Sequence, residues 1–207
     1  MKKLMIFCTG ASGTGKSTFI DKYLSGDNFY NLKSATTRPM REDKSDRNKY
    51  YFCDEEYFDT KHFATLLFVN EQIWKPGDKK WLYGVPEFEI FNNIGYNFTY
   101  DVIEPKYVRQ MIEWFRKKNL TKYYNFKILW FQPYNDVQNI VDLRQNMPDD
   151  TLIRKNNTCA QEDFKNVRLC PDFSIKRVPP EGYEIYKKEK QSCLSYLLNE
   201  IYSQTRK

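Results

Sequence analysis

Leu4 to Thr9 is a nearly continuous apolar run that stops at a cluster of glycines, the pattern of a strand buried on both faces that delivers the chain into a loop. Tyr96 to Ile103 repeats the pattern after the turn Asn92-Asn93-Ile94-Gly95. Lys127 to Phe131 ends at Gln132-Pro133, and Phe173 to Val178 runs up to Pro179-Pro180. Between these runs the apolar period lengthens from two residues to that of a helix. Over Lys106 to Lys118, residues Val108, Met111, Ile112 and Phe115 share one face; over Lys187 to Gln204, residues Leu194, Leu197, Leu198 and Ile201 do. Strands alternating with helices predict an α/β layered domain with a mainly parallel sheet flanked by helices.

Two stretches break that rhythm. From Ser34 to Gly84 the chain is rich in polar residues and tyrosines, with a Lys-Pro-Gly-Asp turn at Lys75 to Asp78. Its aromatic content is too high for a solvated tether, which predicts an inserted subdomain over 34–84 within one domain whose core is 1–33 and 85–207. The second stretch, 145–157, is broken by Met147-Pro148-Asp149-Asp150 and predicts a mobile lid. No internal repeat or low-complexity tract interrupts the chain.

Composition narrows the classes. In 207 residues, 16 Tyr, 15 Phe and 4 Trp supply enough apolar area to offset the entropy of ordering, which excludes a disordered chain. No window approaches the roughly 18 uninterrupted apolar residues of a membrane span, and the start turns glycine-rich before a signal-peptide core forms, so a cytoplasmic protein with no membrane partner is expected. The five cysteines (Cys8, Cys53, Cys159, Cys170, Cys193) lack metal-ligand spacing and His62 is the only histidine, which argues against a structural zinc site and histidine-based catalysis. The net charge of +6 fits either nucleic acid or small anions held in a cleft. With no arginine-aromatic motif or basic helix, no stable nucleic-acid partner is expected.

The strongest chemical signal is Gly10-Ala11-Ser12-Gly13-Thr14-Gly15-Lys16-Ser17, which fits G-x-x-x-x-G-K-S/T at every fixed position, follows a predicted strand and opens a helix-compatible run from Lys16 to Leu24. Glycines let successive backbone N–H groups face a phosphate, Lys16 sets a cation against the terminal phosphates, and Ser17 offers a hydroxyl to Mg²⁺. With Thr18 these residues form the expected ATP-binding set of a P-loop NTPase fold, with ATP as phosphoryl donor and Mg²⁺ as cofactor.

Further along lie Ser34-Ala35-Thr36-Thr37-Arg38-Pro39-Met40-Arg41, Tyr50-Tyr51-Phe52 and Glu55-Glu56-Tyr57-Phe58. Arg38 and Arg41 carry planar charges that fork onto phosphate oxygens, and a tyrosine hydroxyl such as that of Tyr50 completes a monophosphate site. Taken alone, the two arginines read equally as a basic surface loop. The whole pattern resembles the guanylate kinase family, whose nucleotide-binding subdomain carries S-x-T-T-R-x-x-R, an aspartate-tyrosine-x-phenylalanine segment and an acidic-phenylalanine helix start. Tyr83-Gly84-Val85-Pro86 resembles its Y-G-T-P, and Tyr96 to Asp101 its strand ending in an acidic pair. The resemblance is strong over residues 4–60 and fades beyond 110.

The resemblance implies that Ser34, Arg38, Arg41, Tyr50 and Tyr83 line an acceptor pocket and that Asp101 faces the cleft from its strand end. It also implies a guanine-reading carboxylate, for which Glu71 is the candidate, the other reading of Glu71 being an exposed surface acid. Arg144 and Arg154 are spaced to serve as phosphate-facing arginines of the lid. The sequence departs from the family at Lys49, at Val85, which removes a hydroxyl expected near the base, and at Thr99, which replaces the earlier acid of the pair. The expected activity is Mg²⁺-dependent transfer of the γ-phosphoryl of ATP to GMP or dGMP by a monomer or homodimer, with Lys16, Arg38, Arg144 and Arg154 acting on the reacting phosphates. The alternatives are a kinase for another or modified nucleoside monophosphate, and a non-catalytic guanylate-kinase-like binding module.

Overall fold

A computed structural model describes residues 2–10, 14–40, 46–70, 81–132, 171–178, 182–187 and 190–203, the side chains of 65–70 and 177–178 excepted. The apolar run at the start forms β1 (Lys3–Thr9), in which Leu4 to Cys8 are fully buried. Because successive side chains of a strand point to opposite faces, β1 feeds two cores at once. Leu4, Ile6 and Cys8 join the apolar cluster on one face and Met5 and Phe7 that on the other.

β1 is the centre of a seven-stranded sheet. β7 (Phe98–Val102) and β8 (Tyr124–Gln132) flank it in parallel, β2 (Phe29–Asn31) extends the β7 side and β9 (Phe173–Val178) the β8 side, also in parallel. Beyond β9 the sheet turns antiparallel through β10 (Gly182–Lys187) and β11 (Lys190–Ser192). The mainly parallel α/β sheet expected from the sequence is therefore present, with an antiparallel margin that the sequence pattern did not announce.

Helices cover both faces. α1 (Lys16–Tyr23) buries Phe19 and Ile20 in the first cluster together with Leu197 and Ile201 of the C-terminal helix, α5 (Leu194–Ser203). α4 (Pro105–Lys117) starts with proline at its first turn, where the missing N–H is harmless, and carries basic residues in its last turn, where they oppose the helix dipole. Its Val108, Met111, Trp114 and Phe115 form the second cluster with Met5 and Phe7. The helix expected over Lys187 to Gln204 begins only at Leu194, because Lys187 and residues 190–192 belong to the β10–β11 hairpin.

α5 ties distant parts of the chain together. Its Tyr202 donates to the Tyr23 carbonyl (3.2 Å) and meets the rings of Phe29 and Phe98, while Glu200 accepts from Lys127 of β8 (2.5 Å) and Lys187 of β10 (2.7 Å).

A second, four-stranded sheet spans β3 (Ser34–Thr36), β4 (Tyr50–Phe52), β5 (Phe63–Asn70) and β6 (Trp81–Pro86), in the order β4-β3-β6-β5, with α2 (Glu55–Thr60) between β4 and β5. Asp54 caps α2 by accepting the N–H of Tyr57 (3.0 Å). α3 (Glu87–Asn92) follows β6, and its Ile90 joins Ala64 and Val85 in the second cluster beneath the first sheet.

Candidate functional site

The glycine turn begins where β1 ends. Gly10 has φ 141°, and a Cβ there would lie 2.3 Å from the Phe131 carbonyl oxygen, so both conformation and space require glycine. Gly15, at φ 85°, forms the left-handed corner from which α1 starts. No side chain caps that helix and no acid occupies its first turn, so its leading N–H groups keep the electropositive character that suits a phosphate. Lys16 is folded back along the turn, its Nζ donating to the Gly10 carbonyl at 2.7 Å. Thr14 is buried; Ser17 and Thr18 are exposed on the first turn of α1. Ala11, Ser12 and Gly13 lie outside the described residues.

Beside the turn, the ends of β1 and β7 carry two buried polar side chains. Phe7 pairs in register with Asp101, and since Thr9 is two residues beyond Phe7, Thr9 and Asp101 project from the same face of the sheet. Asp101 Oδ2 and Thr9 Oγ1 have no hydrogen-bond partner among the described residues. Burial pushes the Asp101 carboxyl up to about 7; the Val102 backbone N–H opposes the shift and the nearby charge of Glu89 adds to it. Burial, then the proximity of Asp101, pushes the Cys8 thiol well above its ordinary range, so it is no nucleophile.

An orphaned carboxylate oxygen and an orphaned hydroxyl next to a phosphate-type turn are hard donors of the kind Mg²⁺ takes, and Ser17 presents a third oxygen nearby in sequence. No cluster of three His, Cys, Asp or Glu side chains able to hold a metal occurs among the described residues. Mg²⁺ in nucleotide sites is held by one or two protein oxygens plus phosphates, so this donor set fits it.

The second sheet assembles another group. Ser34 pairs in register with Tyr50, and Thr36 with Tyr83 and Phe52, which places these residues on adjoining strands. The Arg38 guanidinium lies 5.4 Å from the Tyr50 ring centre and 5.8 Å from that of Phe52, and the Tyr50 and Tyr83 rings meet edge to face at 6.1 Å. Arg38 also donates to the Pro39 carbonyl (3.0 Å) and forms a buried ion pair with Asp46. Burial lowers the Arg38 pKa, but the hydrogen bond to Asp46 and the neighbouring tyrosines outweigh it and hold the cation firmly charged. Burial raises the Tyr83 hydroxyl pKa against the opposing pull of Arg38.

Of the residues expected from sequence, Arg38, Tyr50 and Tyr83 are brought together, with Ser34 on the neighbouring strand, while Asp101 belongs to the first sheet and Lys16 to the start of α1 beside it. Arg41, Glu71, Arg144, Arg154 and the lid 145–157 lie outside the described residues. Val85 is 1% exposed and belongs to the apolar cluster around Ile90.

Three residues were not anticipated. Asp46 and Thr9 carry no motif of their own. Glu89 of α3 is 1% exposed and accepts the Tyr30 hydroxyl (2.7 Å) and the Lys33 N–H (2.8 Å) on Oε1 and the Tyr51 hydroxyl (2.7 Å) on Oε2. Its only advertisement in the sequence is an acid three residues after Tyr83-Gly84-Val85-Pro86.

Among known proteins, this chain is 42% identical over 60 residues to a guanylate kinase of Clostridium tetani, a match covering 29% of each chain. A guanylate kinase of Prochlorococcus marinus is 43% identical over 58 residues, covering 28% of this chain and 32% of the relative. That of Helicobacter hepaticus is 40% identical over 58 residues, covering 28% and 29%. The chain thus spans about three-tenths of the length of the curated relatives it matches. A crystal structure of guanylate kinase from Anaplasma phagocytophilum is similar over 97% of this chain and 96% of its own, with TM-score 0.43 and 15% identity. No family model matches.

Proposed function

We propose that this chain, 40–43% identical over about 60 residues to guanylate kinases, is a member of that family and a nucleoside monophosphate kinase that transfers the γ-phosphoryl group of ATP to GMP or dGMP. The observation that carries the reading is the complete G-x-x-x-x-G-K-S turn between β1 and α1, next to the buried oxygens of Thr9 and Asp101. Phosphoryl transfer asks little covalent chemistry of a protein. It requires two anions brought into line, the developing charge neutralised and water kept out.

In this reading the N–H groups of the glycine turn hold the donor phosphates, and Lys16 exchanges the Gly10 carbonyl for a terminal phosphate oxygen. Ser17 and Asp101 would hold Mg²⁺, with Thr9 beside them. Held there, the cation would supply neutralisation of the charge that develops on the reacting phosphates. Asp101 must then be ionised, and a cation beside it stabilises that form against the burial that disfavours it. On the acceptor side, Arg38 and Tyr50, with Ser34, Tyr83 and Arg41, would bind the monophosphate, and Glu71 would accept the two adjacent N–H donors of guanine. Arg144 and Arg154 would meet the transferring group from the 145–157 lid. No general base is required, since the acceptor phosphate is already ionised at neutral pH.

A second reading, a kinase for another or modified nucleoside monophosphate, draws on Lys49, Val85 and the inserted Lys75 to Lys80 turn, where the sequence departs from the family pattern. One experiment separates the two: ADP release measured across the common ribo- and deoxyribonucleoside monophosphates with ATP and Mg²⁺. Turnover highest with GMP or dGMP is the expected result. Turnover with a different monophosphate favours the second reading, and no turnover or binding with any of them overturns the kinase assignment.

A further inference from the structure

Glu89 is a buried carboxylate with three donors and, among the described residues, no ion-pair partner. An anion taken out of water survives only where hydrogen bonds replace its hydration, and three charge-assisted bonds do so here. The donors come from both sheets. Tyr30 lies on β2 at the margin of the seven-stranded sheet, Lys33 lies on the segment crossing from β2 to β3, and Tyr51 lies on β4 of the four-stranded sheet. The carboxylate therefore joins the two sheets at the point where the chain passes from one to the other. Burial, then the bond to Glu89, raises both tyrosine hydroxyls, that of Tyr51 to about 12, so each remains a donor at neutral pH.

β4 has three residues and, among the described residues, sits at the sheet edge and pairs only with β3. Side chains alternate along a strand, so Tyr51 and its neighbours Tyr50 and Phe52 project from opposite faces. Tyr51 turns toward Glu89 and the Phe88 ring (5.6 Å), while Tyr50 and Phe52 turn toward Arg38, and Tyr50 toward Tyr83. Anchoring the Tyr51 hydroxyl fixes the rotation of β4 and with it the position of Tyr50 beneath the guanidinium.

We propose that Glu89 is a positioning residue for the acceptor side of the site: through Tyr51 it sets the orientation of β4, so that Tyr50 and Arg38 present a preformed monophosphate pocket. This rests on the acceptor assignment above. The test compares Glu89→Gln, which keeps the size and removes the charge, and Tyr51→Phe, which keeps the ring on Phe88 and removes one hydroxyl. GMP and ATP binding are measured by calorimetry, steady-state kinetics give kcat and both KM values, and hydrogen exchange is followed at residues 50–52.

Each variant should weaken GMP by on the order of tenfold, the expectation for a lost hydrogen bond to a buried charge, with ATP affinity within about twofold of wild type. Exchange at 50–52 should quicken in both, and the double variant should be no worse than Glu89→Gln alone, because the two residues act through one bond. Unchanged GMP affinity in both variants, or an equal loss of ATP, overturns the proposal while wild-type activity leaves the kinase reading intact. A wild-type protein that neither binds nor phosphorylates any monophosphate overturns the kinase reading and the acceptor role of Glu89 together.

Discussion

Lys16 is half-buried beside the glycine turn, its ammonium held on the Gly10 carbonyl. Removing it should leave the fold intact, since it packs in neither apolar cluster. Lys16→Ala is expected to lower phosphoryl transfer on the order of 10³-fold, judged from the loss of other cations that touch a transferring phosphoryl group. Turnover measured beside an unchanged circular dichroism melt checks it. Asp46 predicts a different signature. Asp46→Asn leaves the Arg38 guanidinium buried without its anion, which should cost up to about 3 kcal/mol of stability. An acceptor phosphate would supply the missing charge, so GMP should raise the melting temperature of the variant more than that of wild type. Asp101 predicts a pH effect. Its folded pKa, about 7, lies above the ordinary carboxylate value, so between about pH 4 and 7 the folded state keeps a proton that the unfolded state has lost. Stability should therefore fall as pH rises through that window, by at most about 1.4 kcal/mol per pH unit, and Asp101→Asn should remove the slope. Denaturant titrations without divalent cation give the measurement; Glu89 and Cys8 are the titratable neighbours left in place.

Among the elements, those that bury a regular stripe were legible and those that depend on long-range partners were not. β1 and α4 follow from the pattern of their own side chains, because each meets the core along its whole length. The turn at Gly10 was legible for a different reason: its φ of 141° and the closeness of the Phe131 carbonyl leave glycine as the one residue that fits. Gly10→Ala should accordingly cost about 1–3 kcal/mol and weaken ATP binding, as read by urea unfolding and calorimetry. The β10–β11 hairpin was hidden because its residues continue smoothly into the amphipathic pattern of α5, and only pairing with β9 reveals it as sheet. Glu89 and Asp46 were hidden more deeply. The donors to Glu89 lie 38 to 59 residues away, and a local pattern contains no information about such partners. Arg38, Tyr50 and Tyr83 were found only because a family resemblance supplied the long-range association that spacing lacks.

Across the whole molecule, α5 closes the face of the sheet that β1 and α1 open. Ile201 is fully buried among Leu4, Ile6 and Phe19, and Ile201→Ala should destabilise the protein by about 2–5 kcal/mol, measured by urea denaturation. This arrangement also sets an order of events during synthesis. The central strand emerges well before α5, and the cover that α1 begins on one of its faces is completed only once residues 194–203 follow, at roughly 5–20 residues per second. Until then Leu4, Ile6 and Phe19 lack the contacts of Leu197 and Ile201. A nascent chain arrested before α5 should therefore engage chaperones and resist loading with nucleotide, and emergence of α5 should raise stability and ligand binding together.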